Sequence, residues 1–139
     1  MAIITKRITI ETAGGIDLKD ITRDLRHIVD ESGFKEGSLV VFVPGSTAAV
    51  TTIEYEPGLV TDIKRALEQI APASIPYEHD QRWHDGNGHS HIRAALLKPS
   101  LTVPFVDGSL LLGTWQQVVF IELDVRPRTR TVVIQLIGG

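Results

Sequence analysis

Residues 118–137 read VVFIELDVRPRTRTVVIQLI and contain two apolar, β-branched runs separated by a turn at Arg126-Pro127. The runs Val118 to Val125 and Arg130 to Ile137 are typical of two consecutive strands. A hairpin pattern precedes them, because Asp107-Gly108 lies between further apolar runs. Strands grouped at the C-terminal end, rather than alternating with helices, favour an antiparallel α+β fold over a Rossmann-like sheet.

The first half of the chain supplies the helices and three more strands. Alternating β-branched residues and apolar runs predict the strands, and apolar residues at helical spacing predict the helices. Asp17 is expected to cap the first helix, which Gly33 ends. The predicted segments are strands at 3–11, 38–43 and 47–53, helices at 17–33 and 58–71, a loop at 72–86 and a short helix at 87–97.

Chain length, net charge and cysteine content limit the class of protein. A length of 139 residues predicts a single domain over residues 1–139. The net charge of −3 argues against nucleic-acid binding, which requires many Lys and Arg contacts to phosphate. No cysteine is present, so a disulfide or thiolate site is excluded. No signal peptide and no apolar run of membrane-spanning length is found, so we expect a cytoplasmic protein without a membrane partner.

Four of the five histidines lie within residues 79–91, among acidic and amide side chains. Imidazole is the commonest nitrogen ligand for metals and titrates near neutral pH. His79, His89 and His91 could supply the three protein ligands of a divalent metal such as Mg²⁺ or Zn²⁺, with Asp80 or Asp85 either as a fourth ligand or as a hydrogen-bond partner of the ligands. His89 and His91 would share a face on a strand but diverge by about 200° on a helix. The alternative is a solvated polar loop.

Weaker candidates lie outside this segment. Ser46 and Thr47, in a turn after Gly45, could bind an anion, although a tight packed turn is the plainer interpretation. Arg128 and Arg130 would share one face of a strand and could bind phosphate, unless they belong to a solvated hairpin. Glu54 alone is typical of a solvated carboxylate, and Trp115 is typical of a core or a subunit interface.

These residues occur in an order that resembles the YjbQ family, also described as secondary thiamine-phosphate synthases. The resemblance covers roughly residues 3–139. In the family's usual pattern a histidine stands at the position of Gly45, and His89 is the available substitute here. The matching pieces are Ser46-Thr47-Ala48-Ala49, Glu54, Asp62, Tyr77-Glu78-His79-Asp80, Asn87, His91, Val103-Pro104, Gly108, Leu112-Gly113-Thr114-Trp115-Gln116, Arg128 and Arg130.

The resemblance implies a compact α+β protein, mainly an antiparallel β-sandwich with two to three helices, assembled as a homotrimer with a pocket at the subunit interface. It implies a transferase that joins a pyrimidine diphosphate to a thiazole phosphate and releases diphosphate. The expected roles divide the candidates into a catalytic set of Glu54, Asp80 and Asn87, a phosphate-binding set of Ser46, Thr47, Gln116, Arg128 and Arg130, and metal ligands His79, His89 and His91.

Two other functions are compatible with the same residues. A non-catalytic trimer could bind a phosphorylated metabolite or a metal, which the missing histidine at Gly45 favours. A metal-dependent hydrolase could instead activate a histidine-bound water.

Overall fold

The computed structural model describes all 139 residues and contains two antiparallel sheets and four helices. The larger sheet has the strand order β1-β8-β3-β5-β6, and the smaller has the order β2-β7-β4. The elements are β1 (Ala2–Thr12), β2 (Asp17–Asp20), α1 (Thr22–Ser32), β3 (Gly37–Phe42), β4 (Ala48–Ile53), α2 (Pro57–Ile70), α3 (Glu78–Trp83), α4 (Gly88–Leu97), β5 (Ser100–Val106), β6 (Ser109–Leu110), β7 (Gln117–Glu122) and β8 (Arg128–Gly138).

The two sheets pack face to face, which confirms the antiparallel α+β sandwich. The main core joins Leu39 and Ile134 of the larger sheet to Val50 and Phe120 of the smaller, together with Leu25 of α1. These alternate residues point inward because side chains on a strand alternate between its two faces. The core therefore lies between the sheets and is closed at one side by α1.

The smaller sheet is buried on both faces. Its second face packs Ala49, Val119 and Ile121 against Leu67 of α2 and Ala94 of α4. A strand covered on both faces has no solvated side, and this explains the continuous apolar run in β7. The layered order places the N-terminal end of α4 against the end of the small sheet where β4 begins.

Two local predictions were wrong. Residues Asp17–Asp20 form β2, which pairs with β7, and α1 begins only at Thr22. Asp17 accepts a hydrogen bond from the Ala13 N–H in the preceding turn, and it is Asp20 that accepts one from the Thr22 N–H. Between α2 and α4, the predicted loop contains the short helix α3. The fold thus has four helices rather than two to three.

Large apolar side chains are not all internal. Trp115 is 72% exposed, which rules out the core as its environment and leaves the subunit interface as the prediction.

None of the four helices is long and apolar enough to cross a membrane.

The central position of β7 gives a stability prediction. Phe120→Ala should lower the free energy of unfolding by about 3–5 kcal/mol, because the ring is fully buried and its removal leaves a cavity. Phe42→Ala removes the same ring from a site that is 44% exposed, so its cost should be much smaller. Urea unfolding of both variants measures the difference, and equal costs would contradict this assignment of the core.

Candidate functional site

A buried ion pair joins the two sheets at one end of the sandwich. Glu122, at the end of β7, has no exposed surface, and Arg130 of β8 is 8% exposed. The Arg130 Nε donates to Glu122 Oε1 at 2.7 Å, and Nη2 donates to Oε2 at 2.6 Å. This two-point contact is the planar arrangement that a guanidinium makes with a carboxylate. The hydrogen bonds to Glu122 raise the pKa of Arg130.

Thr47 and Asp124 extend this pair toward the surface. Arg130 Nη2 donates to Thr47 Oγ1 at 2.8 Å, and Thr47 Oγ1 donates to Asp124 Oδ2 at 3.1 Å. Arg128 donates from Nη1 to the same Asp124 oxygen at 2.6 Å. Burial disfavours the charged form of Asp124, but these contacts and the Val125 N–H hold its pKa below the usual range. The interpretation as part of a solvated hairpin is therefore wrong for Arg130, which is buried, whereas the Arg128 side chain remains 34% exposed.

Asn87 connects the network to the start of α4. Its Nδ2 lies 3.4 Å from Asp124 Oδ1 as a long hydrogen bond, whereas its buried Oδ1 has no partner. Nearby, Asp80 Oδ1 accepts from the Gly88 N–H at 2.9 Å. A Cβ at Gly88 would lie 2.6 Å from the Tyr77 side chain. The close approach of α3 and α4 thus requires glycine at position 88, and Asp80 joins the two helices.

The histidines separate into two environments. His89 and His91 both lie on α4, so their side chains diverge as the helical alternative predicted. His91 faces His79 of α3, with the ring centroids 4.4 Å apart and the planes at 44°. His89 is buried, and its ring centroid lies 6.2 Å from that of Tyr77. Exposed His84 ends α3 in a left-handed conformation.

The predicted three-histidine metal centre is not assembled in this structure. No group of three or more His, Cys, Asp or Glu side chains is arranged to hold a metal ion. The buried His79 Nδ1 has no hydrogen-bond partner and lies 3.6 Å from Asp80 Oδ1. The donors present form a two-imidazole contact, so we assign no step to a metal, and metal binding stays a prediction.

Burial lowers the pKa of both histidines on α4. For His89 the second cause is the positive charge of Arg93, a buried residue that binds Glu68 and the Ala71 carbonyl. For His91 it is the neighbouring His79. Both imidazoles are therefore held in the neutral form over a wider pH range than free histidine.

Two clefts open beside the polar network. One, of about 380 Å³, has Gly45 and Ser46 on its lining together with His91 and Ala94. The other, of about 250 Å³, is lined mainly by polar and charged residues. These are Asp85, Asn87, Asp124, Arg126 and Arg128, with Val125. The structure thus brings Ser46, Thr47, Asn87, His79, His91, Arg128 and Arg130 to one end of the fold.

Glu54 and Gln116 lie at the other end of the small sheet. In the β4–β7 pairing, Ala48 is opposite Glu122 and Ile53 is opposite Gln117. Five residues of strand separate the two ends by roughly 17 Å. Gln116 donates to Thr52 Oγ1, and with Glu54 it lines a separate cleft of about 530 Å³. Within one chain, Glu54 and Gln116 do not join the other predicted site residues.

Sequence reasoning missed Glu122 and Asp124, the two carboxylates on which the network is centred. The signal was present, because both interrupt an otherwise apolar strand in the sequence FIELD. A carboxylate buried in a central strand requires charged or hydrogen-bonding partners. Arg93, buried in α4, is a second case of the same kind.

Comparison with known proteins identifies the family and the fold. The family model described as "UPF0047 protein YjbQ-like" matches residues 6–139. This chain belongs to that family. A UPF0047 protein of Methanothermobacter thermautotrophicus is 38% identical over 138 residues, covering 99% of this chain and 94% of the relative. One from Archaeoglobus fulgidus is 37% identical, covering 92% and 97%.

Solved structures of YjbQ-like proteins share the whole fold. A YbjQ-like protein of unknown function from Sulfolobus solfataricus superposes with a TM-score of 0.94 at 33% identity, covering 99% of each chain. An uncharacterized conserved protein of the family from Clostridium acetobutylicum gives 0.87 at 36% identity, covering 95% of this chain and 99% of that one. The resemblance recognised in the sequence is confirmed at the level of family and fold.

The buried pair predicts an asymmetric cost of substitution in this YjbQ-like chain. Glu122→Ala should lower the free energy of unfolding by about 3–5 kcal/mol, because it leaves the Arg130 charge buried without its partner. Asp62→Ala, which breaks an exposed pair with Arg65, should change it by less than about 1 kcal/mol. Chemical denaturation measures both, and a Glu122 variant as stable as the Asp62 variant would contradict the role given to the pair.

The lowered histidine pKa values predict acid sensitivity. The unfolded chain binds protons at His89 and His91 more tightly than the folded chain does, so the free energy of unfolding should fall as pH drops below about 6.5. The fall ends once pH passes the lower folded-state values. Melting temperatures from pH 8 to 5 in metal-free buffer test this, and His91→Gln should flatten the curve. Constant stability across that range would refute it.

Proposed function

We propose that this YjbQ-family chain binds phosphorylated metabolites at the Asn87–Asp124–Arg128 end of the sandwich and joins a pyrimidine diphosphate to a thiazole phosphate. The observation that carries the proposal is the fixed polar chain from Glu122 to Arg128, which ends at an open cleft. Hydrogen-bond donors that buried partners already hold in place bind an anion without the entropic cost of ordering their side chains.

The diphosphate is assigned to the smaller cleft. Arg126 lines it, is exposed, and makes no ion pair within the chain, whereas Arg128 is oriented by Asp124. In the proposed reaction the thiazole nitrogen forms a bond to the pyrimidine methylene carbon while the carbon–oxygen bond to diphosphate breaks. The electron pair leaves with the diphosphate, and arginine stabilises the developing negative charge.

Asn87 is proposed to orient the substrate rather than to transfer a proton. Its buried Oδ1 is an acceptor without a partner, so a donor group of the ligand would satisfy it. Asp80 contributes indirectly, because its contact with Gly88 fixes the start of the helix that carries Asn87.

A homotrimer belongs to the same proposal. Glu54 and Gln116 can take part in catalysis only if a second subunit brings their end of the small sheet to the histidine end of its neighbour. Exposed Trp115 and Tyr55 lie in the same cleft as Glu54, and aromatic residues are enriched at interfaces. Light scattering should give three times the mass of one chain, and a monomer would remove Glu54 and Gln116 from the site.

Arg126→Gln should weaken diphosphate binding about tenfold or more, since a hydrogen bond to a charged group is worth about 1.5–3 kcal/mol. Arg65→Gln, an exposed arginine on α2, is the matched control and should leave affinity unchanged. Isothermal titration of metal-free protein with diphosphate measures both. Equal affinities in the two variants would show that the smaller cleft is not the diphosphate site.

Turnover separates the proposed transferase from its alternatives. Product formed from the two thiamine precursors, with and without Mg²⁺, supports the transferase, whereas binding of both precursors without turnover supports the non-catalytic trimer that Gly45 favours. Precursor hydrolysis that requires Zn²⁺ supports the hydrolase, for which the unpartnered His79 Nδ1 is the one favourable observation. In that case His91→Ala should lower Zn²⁺ affinity and His89→Ala should not.

A further inference from the structure

Arg130 uses two of its three guanidinium nitrogens inside the protein. Nε and Nη2 contact Glu122 and Thr47, whereas Nη1 makes no hydrogen bond within the chain. Nη1 points toward Gly45, since a Cβ built on that glycine would lie 3.2 Å from it. Gly45 does not have a positive φ, so its backbone conformation does not demand glycine there; what glycine provides is space beside Nη1.

This nitrogen is reachable from solvent although its residue is buried. The buried side-chain nitrogen and oxygen atoms without a partner are His79 Nδ1, Asn87 Oδ1 and Ser90 Oγ. Arg130 Nη1 also has no partner, but it is not one of these fully buried atoms. The Arg130 side chain keeps 9% of its surface exposed, so Nη1 retains contact with solvent. Gly45 lines the cleft of about 380 Å³ together with Ser46 and His91, whereas Arg130 is not itself one of its lining residues and approaches it only through its contact with Gly45.

We propose that Gly45 determines the specificity of this cleft, by leaving Arg130 Nη1 open to one oxygen of a monophosphate group. The inference rests on the proposed function. It assigns a site to the second anion of that reaction, which is the phosphate group of the thiazole phosphate. A guanidinium nitrogen can only donate, so its ligand must be an acceptor. The other two nitrogens are already held by Glu122 and Thr47, so no side-chain freedom is lost on binding.

The surrounding charges favour a monophosphate over a diphosphate. Glu122 offsets the charge of Arg130 through its two hydrogen bonds, so recognition there depends on directed hydrogen bonds rather than on a strong positive field. Ser46, exposed at the rim of the same cleft, offers one further hydroxyl donor. The other cleft holds two guanidinium groups, Arg126 and Arg128, together with the carboxylates of Asp85 and Asp124, and its two arginines can each donate to one phosphate of a diphosphate.

A substitution at position 45 separates the two clefts. Gly45→Ala places a methyl group against Nη1 and should lower affinity for inorganic phosphate at least tenfold, while affinity for diphosphate stays within twofold. Gly139→Ala is the control, because nothing lies within 4 Å of the position of its Cβ. Titration calorimetry of the full chain measures both ligands for the three proteins.

A measurement on the unsubstituted protein makes the test independent of how Gly45→Ala folds. The ¹⁵N resonances of the Arg130 guanidinium should shift and saturate with inorganic phosphate, and should respond little to diphosphate. Phosphate binding that leaves them unchanged, or that is equal in Gly45→Ala, overturns this inference and leaves the proposed function intact. An equal loss of affinity for phosphate and for diphosphate in Gly45→Ala also overturns this inference. If neither anion binds the unsubstituted protein, the proposed function fails as well.

Discussion

The contact between Glu122 and Arg130 is the constraint on which the remainder of the site depends. The Glu122 carboxylate accepts five hydrogen bonds, from Thr12, twice from Arg130, and from the N–H groups of Leu123 and Asp124. Thr12 and Arg130 belong to the larger sheet, and the acceptor belongs to the smaller. A carboxylate with no exposed surface is stable only when its lone pairs are satisfied in this way. The two sheets are therefore held in one relative position at this end.

That fixed position explains how a loop-rich region can be ordered. Thr47 donates to Asp124 and accepts from Arg130, so its hydroxyl connects the buried pair to the carboxylate at the surface. Asp124 in turn contacts Asn87, where α4 begins. Each member restrains the next, and networks of this kind are rigid when fully satisfied. The unpartnered Oδ1 of Asn87 is at the open end of the network, where a ligand would complete it.

Periodicity in the sequence predicted most of the secondary structure because strands and helices reflect local spacing. The alternation in β1 and β8 and the apolar stripe of α2 were sufficient for those elements. Asp17–Asp20 was misassigned because four residues are too few to show a period, and their partner in β7 is about a hundred residues away. The helix α3 was missed for a related reason, since none of its residues is buried and it has no apolar stripe to detect.

The site was harder to predict because its geometry depends on contacts between distant residues. Local density suggested that the histidines act together, but the start of α4 at Gly88 turns His89 and His91 in different directions. Arg128 and Arg130 share a face as the strand pattern required, yet nothing local indicates that Glu122 binds one and Asp124 the other. The contact between Arg130 and Glu122 also determines what surrounds Gly45. In the sequence Gly45 is a turn residue, and only the folded structure shows that a side chain at this position would lie against the Arg130 guanidinium.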